Sequence, residues 1–160
     1  MTPSVDTARI PMQVSRGCVV ASIQVALTDA VLQDFRRELL ERVHACGARG
    51  VILDVAGVEV LDSRDFEALR RTMIMAEVMG AHPIVSGLRP GVVSALVDLD
   101  VDIDGLRAAR NLDGAFALLE QAMAEAQAEE AAPEDDDAEP ASATPDADGG
   151  SPDERADAGE

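Results

Sequence analysis

The run Val51-Ile52-Leu53-Asp54-Val55 restricts this chain more than any other feature. Four of its five residues are apolar and three are β-branched, so it has no polar face to offer water. A strand of that kind belongs in the middle of a sheet covered by helices on both sides. The segments around it supply the cover. Val31, Leu32, Phe35, Leu39, Leu40 and Val43 recur at spacings of three and four, and so do Phe66, Leu69, Met73 and Ala76. Each set makes one apolar stripe on a helix. Strands alternating with such helices define an α/β domain.

The remaining elements follow from local chemistry. Ile10 to Val14 and Cys18 to Gln24 read as two strands joined at Arg16-Gly17 and paired antiparallel. Thr28 or Asp29 caps the first helix and Gly47 ends it. The second helix runs from Arg64 to Met79, with Arg64, Glu67, Arg70 and Arg71 outward, and stops at Gly80. A strand near Pro83 to Ser86 pairs with the central one. Gly87-Leu88-Arg89-Pro90 turns into a third helix, Pro90 suiting its first position and Val93, Leu96 and Val97 facing inward. Asn111 or Asp113 opens the last helix, through Phe116, Leu119 and Met123. The expected order is β–β–α–β–α–β–α–α.

The chain has 160 residues, 47% of them apolar, which suits one ordinary domain with a real core. Its formal net charge of −18 is uneven. Residues 125–160 hold fourteen acids and one base, Arg155, a net −13, leaving −5 for the other 124 residues. Two units are therefore expected: a domain over 1–124 and a disordered acidic tail over 125–160, too poor in large apolar side chains to offset its ordering entropy. No basic footprint marks a nucleic-acid or anionic-membrane partner. No apolar run approaches the roughly 20 residues of a membrane span, and no signal pattern opens the chain, so the cytoplasm is the default.

All thirteen basic residues are arginine. Without lysine there is no Walker A loop and no Schiff base. A receiver domain also expects a lysine beside its phosphoacceptor, so Asp54 reads as a strand-end or turn residue. Cys18 and Cys46 read as core or near-core thiols, not a disulfide pair. His44 and His82 are isolated, without zinc-site spacing. No metal and no cofactor is expected.

Ser63 follows Asp62 where the apolar run gives way to helix. Such a hydroxyl is either a helix cap or an exposed group available for modification. Asp54, Asp62, Ser63 and Asp65 gather at the strand end where α/β proteins bind ligands, yet no histidine, lysine or glycine-rich phosphate loop accompanies them. A serine nucleophile is poorly supported, and no catalytic residue is assigned.

Three stretches in order resemble a known family. Cys18 to Gln24, Gly47 to Ser63, and Met79-Gly80-Ala81 through Gly87-Leu88-Arg89-Pro90 to Leu99 are similar to the STAS domain of anti-sigma factor antagonists, and within it to stressosome scaffolds of the RsbS type. The resemblance covers roughly Ile10 to Ala122. It implies a single SpoIIAA-like domain with helices packed on a mixed central sheet. It also implies a binding module in which Ser63 is phosphorylated by an RsbT-like serine kinase, with Asp62, Arg64, Asp65 and Glu67 at the partner surface. The unphosphorylated form would hold the kinase in a large complex with RsbR-like co-scaffolds and with copies of itself. Phosphorylation would release the kinase, and an RsbX-like phosphatase would reset the scaffold. Arg64 and Asp65 stand where the family often has an apolar residue. Val93-Ser94-Ala95-Leu96 puts Ala95 nearest the second phosphorylated threonine of RsbR-type relatives, which favours the RsbS type. The alternative is a STAS antagonist of a different anti-sigma kinase, or a STAS subunit of another pathway, that forms no large complex.

Overall fold

A computed structural model describes residues 8–100 and 105–131. Five strands lie in the order β1 (Met12–Ser15), β2 (Cys18–Ser22), β3 (Gly50–Asp54), β4 (His82–Ser86) and β5 (Ala108–Ala109). The β1–β2 pair is antiparallel and all others are parallel, so the sheet is mixed as expected. Ser15 pairs with Cys18, and Arg16 and Gly17 between them both take positive φ, the two-residue turn that matches strand twist.

The helices are α1 (Asp29–Cys46), α2 (Ser63–Val78), α3 (Pro90–Asp98) and α4 (Leu112–Glu130). They divide between the two faces as strand alternation requires. Val19, Ala21, Val51, Leu53 and Val85 pack against Phe35 and Leu39 of α1, Phe66, Leu69 and Met73 of α2, and Val92 and Leu96 of α3. On the reverse face Cys18, Val20, Ile52 and Ile84 pack against Ala115 and Leu119 of α4. The central strand is buried on both sides, as its composition demands.

Thr28 caps α1, its hydroxyl accepting from Val31 N at 3.3 Å, and Gly47 ends the helix in the left-handed region. Asn111 caps α4 through Gly114 N at 2.8 Å.

Several expectations are corrected. β5 adds a strand that the sequence does not announce, because two alanines carry no periodicity. In α3 Leu96 faces inward as expected, but its buried partner is Val92, whereas Val93 and Val97 are exposed; the helix offers two adjacent apolar stripes, and the sheet takes the one that holds Val92. Cys18 is buried but Cys46 is exposed. Glu67 and Arg70 are only half-exposed. The last helix continues to Glu130, six residues past the boundary suggested by composition. Residues 132–160, the rest of the expected tail, lie outside the described residues.

Candidate functional site

All three helices on the α1–α2–α3 face begin at the carboxyl ends of the parallel strands, and there the loop Val55 to Leu61 delivers the chain to α2. Asp54 accepts from Ala56 N at 3.1 Å, and Val58 N donates to Val55 O at 2.9 Å, which closes the first turn of the loop. Leu61 is buried at 3% exposure and pins the far end. The next residues are thus forced outward at a fixed point.

Asp62 is the N-cap of α2: its backbone is extended and its Oδ1 accepts from Asp65 N at 2.8 Å. Ser63 is the first helical residue. Of the two readings of the Ser63 hydroxyl, helix cap or exposed group, the cap falls to the aspartate instead. The serine side chain is therefore spared. Its hydroxyl is exposed and bonds to no described residue.

The charges around it are mostly negative. Asp62 is exposed and Asp65 half-buried. Burial, then the neighbouring Asp62, push the Asp65 carboxyl above its ordinary value; Arg64 opposes this and Asp29 adds to it. Arg64 reaches across to Asp29, the first residue of α1, at 2.8 Å, tying the two helix starts together. Glu67 turns inward along α2 to Arg70 and Arg71, at 3.9 and 3.8 Å. Of the residues singled out in the sequence, Asp62, Ser63, Arg64 and Asp65 are thus brought into one exposed turn, while Glu67 belongs to an ion-pair ladder below it. Asp29 was missed, since nothing in sequence links positions 35 apart. Val60, 84% exposed just before the cap, was also missed.

No histidine stands beside this turn. His44 lies near the end of α1 and His82 opens β4, both at the opposite end of the sheet from Ser63. Asp54 is engaged with its own loop. Among the described residues no three His, Cys, Asp or Glu side chains cluster as metal ligands, and no helix is long and apolar enough to cross a membrane. A phosphate on Ser63 would face the free N–H groups of the first turn of α2, a favourable place for negative charge.

The architecture matches the STAS domain family over residues 9–113, well over half of the chain, and the protein belongs to that family. Among solved structures it resembles RsbS from Moorella thermoacetica, in a variant with a serine replaced by glutamate, at 24% identity. That match has a TM-score of 0.64 over 73% of this chain and 99% of that one. It also resembles a chain from a study of the stressosome as a signal integration and transduction hub, at 26% identity, a TM-score of 0.63, and 71% and 98% coverage. A Thermotoga maritima protein described as an anti-sigma factor antagonist matches at 14% identity, a TM-score of 0.58, and 69% and 94% coverage. No curated protein matches the sequence. The chain thus has an anti-sigma-antagonist-like STAS fold close to that of stressosome RsbS.

Proposed function

We propose that this protein is a non-catalytic phospho-switch scaffold of the RsbS kind, acting in the cytoplasm. In its unmodified form it holds an RsbT-like serine kinase within an assembly built with RsbR-like co-scaffolds and further copies of itself. Phosphorylation of Ser63 releases the kinase into a stress-signalling or sigma-factor pathway, and an RsbX-like phosphatase restores the first state. The observation that carries this reading is the spared hydroxyl: Ser63 is exposed and unbonded because Asp62 caps the helix in its place.

The physical basis is electrostatic. Phosphate adds about −1.5 to −2 charge to a turn already holding Asp62 and Asp65. The helix terminus tolerates that charge, but a partner packed over the turn must desolvate it or supply a base, so the cost falls on the complex. Asp62, Arg64 and Asp65 form the partner surface. Glu67 contributes by holding Arg70 and Arg71.

The test is to incubate the protein with its cognate serine kinase and ATP and map the phosphate by mass spectrometry, then measure kinase affinity by calorimetry. Modification at Ser63, retained affinity in Ser63→Ala and an affinity at least tenfold weaker in Ser63→Asp are expected. Equal affinity across wild type and both variants overturns the switch. A second reading, a STAS antagonist working outside a large complex, draws on the similar fold of the Thermotoga antagonist. Light scattering of the protein mixed with its co-scaffold separates the two: a particle many times the mass of either chain supports the scaffold, and a small complex supports the antagonist.

A further inference from the structure

The arginines of the described residues are almost all engaged. Arg9, Arg37, Arg64, Arg71 and Arg107 each face a carboxylate, Arg42 donates to the Met12 carbonyl, and Arg16 lies 4.7 Å over the Phe116 ring. In a chain with 31 acids and 13 bases that is expected. Three stand apart: Arg36, Arg89 and Arg110 make no ion pair or hydrogen bond with any described residue. Two of these three line one feature, an open groove of about 730 Å³ with Ala56 and Gly87 at its floor and Ser94 on its wall. The groove lies at the carboxyl ends of β3, β4 and β5. Arg89 has no side-chain bond to the first turn of α3, so backbone N–H groups at that helix start add to the positive lining.

We propose that this groove takes up an acidic peptide, and that its occupant is the distal part of this chain's own C-terminal segment, residues 146–160. Charge and length both select it. Residues 132–160 carry eleven acids against Arg155 alone. Glu125 of α4 pairs with Arg107, the residue just before β5, and Gln127 stands against Arg49, just before β3. Helix α4 therefore runs down the sheet, and its last residue is about 30 Å from Arg110, at 1.5 Å per residue. Chain leaving Ala131 must climb back that distance and round the β5 edge. At about 3.3 Å per residue, the acids at 134–137 are spent within about 20 Å and fall short. Asp146 has about 50 Å of chain behind it and reaches the groove, as do Asp148, Asp153, Glu154, Asp157 and Glu160. This proposal does not depend on phosphorylation of Ser63.

The test uses the full chain and backbone amide NMR. On raising NaCl from low salt to about 0.5 M, where screening shrinks to a few ångströms, the signals of Gly87, Arg89, Gly91 and Arg110 should shift as the segment leaves. Replacing Asp146, Asp148, Asp153, Asp157 by Asn and Glu154, Glu160 by Gln should abolish that salt-dependent shift. Neutralising Glu134, Asp135, Asp136, Asp137 and Glu139 in the same way should preserve it, and Arg89→Gln with Arg110→Gln should remove the matching shifts from residues 146–160. Identical behaviour of the native chain and the distal variant overturns the proposal. Shifts that grow with protein concentration also overturn it, because the occupant is then the segment of a second copy.

Discussion

The Asp62 side chain holds the first turn of α2 through one contact, the 2.8 Å acceptance from Asp65 N, and Ser63 owes its freedom to it. Asp62→Ala should cost about 1 kcal/mol, as loss of an N-cap does, readable as a lowered urea midpoint. Asp62→Ser should recover most of it, since a hydroxyl caps nearly as well. Asp65 offers a separate measurement. Its folded carboxyl is raised, chiefly by burial and by Asp62, so the folded state binds that proton more tightly than the unfolded chain does. Stability from this group is therefore greatest below the unfolded carboxylate value and falls as pH rises through the raised one. Asp65→Asn removes the effect while leaving the backbone N–H that Asp62 accepts. Its melting temperature should exceed wild type at pH 7, by little because the carboxyl is only partly buried, and the gain should vanish near pH 3. An equal gain at both pH values would locate the effect in something other than this titration.

At the scale of elements, the packing of α3 and α4 decides what the sequence could and could not disclose. The long helices α1 and α2 were legible because their apolar stripes extend over several turns, and β3 because it is apolar on both sides. Helix α3 has only nine residues, and Val92, Val93, Leu96 and Val97 offer two adjacent stripes; which one faces inward is settled by the sheet. β5 was illegible because its pairing to Val85 and Ser86 exists only once the fold has formed. The site shows the same division: the Asp62-Ser63 pair announces a helix start, but the Arg64–Asp29 bridge joins residues distant in sequence. Gly87 binds two elements together. Its φ is +78°, and a Cβ there would meet Ala56 Cβ at 2.7 Å and Ala56 N at 2.9 Å. Gly87→Ala forces an alanine into a left-handed conformation against backbone that cannot yield, so a loss of about 1–3 kcal/mol is expected by chemical denaturation. On the reverse face Leu119 is 3% exposed and lies directly on Gly50. Leu119→Ala should cost about 2–5 kcal/mol and raise hydrogen exchange along α4 before the rest of the domain.

For the molecule as a whole, where α4 stops is a matter of contacts rather than composition. The abrupt enrichment in alanine and acids begins near Glu125, yet α4 continues because alanine and glutamate are good helix formers and because two of these residues still touch the domain. Glu125 reaches Arg107 at 3.6 Å, and Gln127 meets Arg49. Both anchors lie beyond Ala122, the last buried residue of the helix. Two truncations separate composition from contact. Ending the chain after Ala131 removes no packed side chain among the described residues. At about 0.5 M NaCl, where any ionic hold on the groove is screened, its melting temperature should stay within a degree or two of the full chain. Ending it after Ala124 removes both anchors and moves the frayed end of α4 to within one turn of Ala122. A fall of several degrees is expected, of the order that 1 kcal/mol produces in a domain of this size. Circular dichroism melts in high and low salt check both. If the two truncations melt together, the last six residues of α4 hold nothing, and the boundary belongs where composition first placed it. If only the shorter chain falls, the acidic segment begins as structure and becomes tail after the Gln127 contact.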